Sequence, residues 1–113
     1  MKKTLAKRTV KRSGEVVITT SRKKTSGDKE LSSVEHTEHD SVSNLPPHPA
    51  YVEVNGGLTK NIGNYESIRI GVHVSVPCRP TISGIRKAHA KVSDLVAELI
   101  QLEYERAMED EEL

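Results

Sequence analysis

The sequence predicts an α+β fold, a long antiparallel β-hairpin followed by a long amphipathic C-terminal helix. Three observations carry this reading. Val52, Val54, Leu58 and Ile62 share one parity of the chain, and Ile68, Ile70, Val72, Val74 and Val76 share one too, the period-two signature of half-buried strands. Glycine and asparagine gather between these runs, in "IGNYE". From Ile82 onward, Ile85, Ala88, Val92, Leu95, Val96, Leu99 and Leu102 recur at spacings of three and four, as on a helix with one apolar face.

The hairpin register follows from side-chain matching. A two-residue Gly63-Asn64 turn sets Ile62 against Tyr65 and Leu58 against Arg69, apolar against polar. A three-residue loop, Gly63-Asn64-Tyr65, sets Ile62 opposite Glu66, Leu58 opposite Ile70 and Val54 opposite Val74. The second register keeps one face apolar beyond the turn, and is the expected one. Gly56-Gly57 predicts a bulge or a close backbone approach in the first strand. Pro77, Cys78, Arg79 and Pro80 end the second strand, and Thr81 or Ser83 supplies a cap for a helix running to about Met108. Arg86, Lys87 and Lys91 come early in that helix and the acids late, against the helix dipole, so packing must hold it.

Composition limits what surrounds this core. The chain has 113 residues, 35% hydrophobic and 29% charged, with no Phe or Trp, which allows one small domain. Residues 1–24 hold nine Lys or Arg and a single acid, Glu15, for a local net charge of +8. Residues 25–50 are rich in Ser, Thr, His and acids and end in "NLPPHPA", too little apolar surface to offset chain entropy. The expected organisation is therefore a disordered basic arm and polar linker over 1–48 and a ββα domain over 49–113. About sixty residues close a core with difficulty, and a lone hairpin leaves both edges open. Two copies pairing into a four-stranded sheet, with two helices on one face, meet both problems, and a homodimer is expected. Val16-Val17-Ile18 joining as a third strand is the competing solution.

Little in the chain suggests catalysis. His73 and Cys78 stand five residues apart, about 16 Å along an extended strand, too far for a base and its nucleophile. "EHTEHD" brings His36 and His39 beside Glu35, Glu38 and Asp40, with His48 following, a set read as a solvated linker rather than a metal centre. "GGLTKNIGN" lacks the spacing of a phosphate loop and leads into a strand. The expectation is no catalytic residue, no metal and no cofactor. One cysteine fits a reducing compartment, and the basic start lacks the apolar stretch of a signal peptide. No apolar run reaches membrane-spanning length, so a cytoplasmic protein without a membrane partner is expected. The basic clusters are the strongest partner signal. Lys2, Lys3, Lys7, Arg8, Lys11, Arg12, Arg22, Lys23 and Lys24 suit phosphate binding, with Lys60, Arg69 and His73 on the sheet to position a strand, although a charge run is also a common solubilising tail. The tip Gly63-Asn64-Tyr65 is the candidate contact if the partner is instead a protein.

Residues 57–78, "GLTKNIGNYESIRIGVHVSVPC", resemble a pattern in small bacteriophage proteins: a hairpin bearing N-[IL]-G-N-[YF]-E-S, alternating apolar residues, then an acidic helix. Asn61, Ile62, Gly63, Asn64, Tyr65, Glu66 and Ser67 carry the match. The resemblance spans about half the chain. It implies a phage-encoded accessory protein working in the bacterial cytoplasm, with either nucleic acid or a host protein as partner.

Overall fold

The computed structural model describes residues 14–112. Four strands, β1 (Glu15–Ser26), β2 (Lys29–Ser41), β3 (Ala50–Gly63) and β4 (Glu66–Cys78), precede one helix, α1 (Ile82–Glu112). Two hairpins, β1–β2 and β3–β4, join through an antiparallel β1–β4 ladder into one sheet of order β2-β1-β4-β3. The C-terminal ββα unit matches the sequence reading. The rest corrects it. From Glu15 to Ser41 the stretch expected to be a disordered arm and linker is an extended hairpin, and Val16-Val17-Ile18 opens a full third strand. Lys2, Lys3, Lys7, Arg8, Lys11 and Arg12 lie outside the described residues. The four strands that two copies were expected to supply are present in one chain.

The β3–β4 register follows the apolar pattern. Leu58 faces Ile70 and Val54 faces Val74, as side-chain matching requires. At the tip the expected pairing of Ile62 with Glu66 is replaced by Gly63 with Glu66, and Ile62 becomes the extra residue of a bulge. The turn is then two residues, Asn64-Tyr65, with φ of 54° and 62°. Positive φ at both central positions is what a type I′ turn demands, and its twist matches the strands. The bulge absorbs the one-residue difference, so both registers give the same core. The β1–β2 hairpin closes through Gly27-Asp28, with Gly27 at φ 60° supplying the left-handed first position. The two turns touch: Gly27 N–H donates to the Tyr65 carbonyl at 3.0 Å.

Helix α1 begins where Thr81 Oγ1 accepts the Gly84 N–H at 3.0 Å, the side-chain cap expected of Thr81. It runs 31 residues, past Met108, for a length of about 46 Å. Its apolar stripe lies on β3 and β4, touches β1 and does not reach β2. Val52, Val72, Val74, Val92 and Val96 form one cluster, and Ile68, Ile70 and Ala107 a second nearer the helix end. Gly56 marks a close approach rather than a bulge: a Cβ there would stand 2.8 Å from both Ile100 Cδ1 and Val96 Cγ1. Near the C-terminal end Arg22 reaches from β1 to Asp110, at 3.6 Å. Among the described residues no helix is long and apolar enough to cross a membrane.

Two tests follow from this packing. Ile70→Ala, at a side chain 1% exposed, is expected to cost about 2–5 kcal/mol in urea unfolding, while Val34→Ala on β2, 53% exposed, should change little. A chain truncated to residues 49–113 loses the β1 ladder and leaves β4 as a hydrophobic edge; it should melt without a cooperative transition or self-associate, as read by calorimetry and light scattering.

Candidate nucleic-acid interface

The two faces of the sheet are chemically distinct. On the helix side stand Val52, Val54, Val72, Val74 and Ile70, with Ile18, Thr20, Arg22 and Lys24 opposite them on β1. The other face carries no element of α1, and almost every position on it is Ser, Thr, Asn, Gly or charged. Successive rows across β2, β1, β4 and β3 read Thr37–Thr19–His73–Asn55, then Glu35–Ser21–Gly71–Gly57, then Ser33–Lys23–Arg69–Thr59. Thr25, Ser67 and Asn61 follow towards the turns.

The row of cations is the chemically pointed one. Lys23 and Arg69 sit directly opposite each other on adjacent strands. Like charges in that position repel, costing the fold a few tenths of a kcal/mol, and an anion between them reverses the sign. Lys23 has one weak partner, Glu30 at 3.8 Å, and Arg69 has no carboxylate partner among the described residues. On the core side of this row, Gly71 and Gly57 place no side chain over the sheet, and Ser21 Oγ would lie only 2.9 Å from a Cβ on Gly71. On the turn side, Thr25 Oγ1 and Ser67 Oγ share a hydrogen bond of 3.1 Å at the rim of an open hollow of about 440 Å³. Gly27, Asn61, Gly63, Tyr65 and Glu66 complete its lining. The Tyr65 ring is 95% exposed there. Two cations for phosphate, hydroxyls and amides for hydrogen bonds, and an aromatic ring for stacking therefore occupy one end of the open face.

The opposite end is acidic and histidine-bearing. His73 Nδ1–H donates to Asn55 Oδ1 at 2.6 Å, with Glu53 Oε1 3.7 Å from its Nε2. His39 Nδ1 faces Glu15 Oε1 at 3.4 Å. His73 is thus on the open face, as expected, yet a row beyond the glycine gap from Arg69 and already held by its neighbours. His36, bound to Glu38 at 3.3 Å, is on the helix side of β2 and His39 on the open side, so the "EHTEHD" histidines diverge. No three His, Cys, Asp or Glu side chains converge on a metal position among the described residues. Cys78 packs towards the helix and His73 points the other way, so the sheet itself separates them.

Of the predicted cations, Lys23 and Arg69 come together. Arg22, Lys24 and Lys60 belong to the helix side. Arg22 faces Asp110 and Lys24 faces Glu66 at 3.8 Å. Ser21 and Thr25 were not singled out from the sequence; the β-branched run Val16–Thr20 and the hairpin dipeptide Gly27-Asp28 are the signals that identify their strand. Charge is divided sharply along the chain. Six of the seventeen cations and none of the sixteen acids fall in residues 1–13, leaving eleven against sixteen, a net −5, for the remainder. No protein-family model, curated protein or solved structure matches this chain.

Tyr65 holds a left-handed backbone that glycine adopts without cost, and its ring buries almost nothing. Tyr65→Gly should therefore stabilise the fold by about 0.5–1 kcal/mol and raise Tm by a few degrees, since it restores the favoured Asn-Gly turn and keeps the backbone bond to Gly27. A fall in Tm would show that the ring has a structural role.

Proposed function

We propose that this chain is a non-enzymatic, phage-encoded accessory protein that binds nucleic acid, DNA in preference to RNA, in the bacterial cytoplasm. The observation that carries the binding is the Lys23–Arg69 pair, a repulsive contact on an otherwise polar open face that only an anion makes favourable. A single strand suits the surface better than a duplex. The face is flat and four strands wide, and Tyr65 offers a ring on which a base stacks about 13 Å along β4 from Arg69. With residues 14–113 carrying net −5, the basic residues 1–13 supply most of the attraction and the sheet supplies position. The phage assignment rests on the hairpin resemblance at Asn61–Ser67.

Fluorescence anisotropy with labelled single-stranded DNA across a salt series tests this. If five to eight cations engage, the log–log salt slope is roughly −4 to −7. Arg69→Ser should shorten that slope by about one and weaken binding several-fold, while leaving the fold equal or slightly more stable. Absence of binding at low salt, with single or double strands, overturns the proposal.

A second reading has one observation in its favour. Tyr65, exposed and strained at a hairpin tip, also has the character of an aromatic anchor for a protein pocket. On that reading the Gly63-Asn64-Tyr65 tip binds and modulates a host protein. Tyr65→Ala then abolishes capture of that protein and leaves DNA binding, if any, with an unchanged salt slope.

A further inference from the structure

Strand β2 is the most exposed element of the molecule. All 13 of its residues are exposed, α1 does not reach it, and its outer row of N–H and C=O groups has no ladder partner among the described residues. A long open edge of this kind is a template for another strand unless it is blunted. β2 contains neither proline nor glycine, and its register shift, at Leu31, lies near its start. What distinguishes it is charge. Glu30, Glu35, Glu38 and Asp40 oppose one lysine, Lys29, for a net −3. The other edge, β3, holds one acid and one base, Glu53 and Lys60, and its glycine pair weakens it as a template.

The same chain holds a complementary segment. Residues 1–13 carry six cations, no acid, no proline and no glycine. The segment joins the fold at Gly14. There Val42 N–H donates to the Gly14 carbonyl at 3.0 Å, Gly14 N–H donates to Tyr51 Oη at 3.0 Å, and Leu45 Cδ1 lies 2.8 Å from where a Cβ of Gly14 would be. Val42 thus stands beside Gly14 on its β2 side, and Leu45 packs against it. Pairing between two molecules does not require a segment to pass them.

We propose that the β2 edge receives residues 1–13 of a second copy of this chain as an added strand, each copy giving its basic segment to the other's acidic edge. Backbone hydrogen bonds supply the pairing and the −3 against +6 charge match supplies the selectivity. The exchange is two-fold and closed, so it stops at a dimer. It differs from joining two copies through sheet faces or helices, and it stands independently of nucleic-acid binding. Because phosphates and β2 draw on the same side chains, the two compete for them.

Light scattering of the full chain without nucleic acid, at about 50 mM salt and about 100 μM protein, is the first measurement. The expected mass is about twice the 12.5 kDa of one chain, falling to one chain in about 0.5 M salt. Changing Lys2, Lys3, Lys7, Arg8, Lys11 and Arg12 to Gln, or Glu35→Lys with Glu38→Lys, should each give a single-chain mass that still melts in one cooperative transition, at a lower midpoint than the dimer. A labelled peptide of residues 1–13 should bind the six-Gln protein, and the same peptide with Thr9→Pro, of identical charge, should bind at least tenfold more weakly. A single-chain mass for the unaltered protein, a dimer that survives the six-Gln change, or equal binding of the two peptides overturns the proposal; the last would show charge attraction without strand pairing.

Discussion

One helix covers two strands. An α-helix with its side chains is about 10 Å across and strands are spaced about 4.8 Å apart, so α1 can bury the helix-side face of β3 and β4 and little else. Most other features of the fold follow from that ratio. The core is a double row of Val and Ile between one helix and one hairpin, packed closely enough that Gly56 has no room for a side chain. β1 lends Ile18 to the core under the helix, buries Val17 on the opposite face, and then turns polar at Thr20, Arg22 and Lys24 as the helix stripe passes it by. β2, beyond the helix altogether, has no apolar face to hide.

The β1–β4 ladder makes this economy workable. Without β1, β4 would present its unpaired edge beside the most buried side chains in the molecule, Ile70 and Val74. With β1 in place, β4 is central and its backbone groups are paired on both sides. The stabilisation that β1 supplies is largely backbone hydrogen bonding and edge protection, each bond modest and the sum cooperative. Such a strand has no need of hydrophobic side chains. The same arrangement leaves the far face of the sheet free to be polar, which allows Lys23 and Arg69 to stand side by side next to a gap made by two glycines.

That face has a gradient along the strands. Cations, hydroxyls and the Tyr65 ring lie near the turns, while histidine–carboxylate pairs, His73 with Glu53 and His39 with Glu15, lie at the other end. On the proposed nucleic-acid reading, an extended polyanion is attracted at one end and discouraged at the other, which gives the surface a polarity without any deep pocket. The acidic balance of residues 14–113 and the basic balance of residues 1–13 extend the same division to the whole chain.

The sequence alone determined the parts whose side chains are sorted by burial. Alternation from Val52 to Val76 set the β3–β4 register, the three-and-four spacing from Ile85 to Leu102 set the helix, and Thr81 or Ser83 bounded its start, with the structure choosing Thr81. Cys78 and His73 were legibly separate because five residues of extended strand lie between them. Only the tertiary structure decided the β1–β2 hairpin, the two-residue turn with its bulge at Ile62, and the meeting of Lys23 with Arg69. β2 lacks a buried face, so its composition matches that of an unfolded segment; what orders it is a ladder of backbone bonds that any side-chain sequence could make. A bulge likewise leaves the core pattern unchanged, and a cross-strand pair between residues forty-six positions apart exists only once β1 and β4 have found each other. Burial leaves a periodic trace in the residues, whereas backbone pairing at a polar strand leaves almost none.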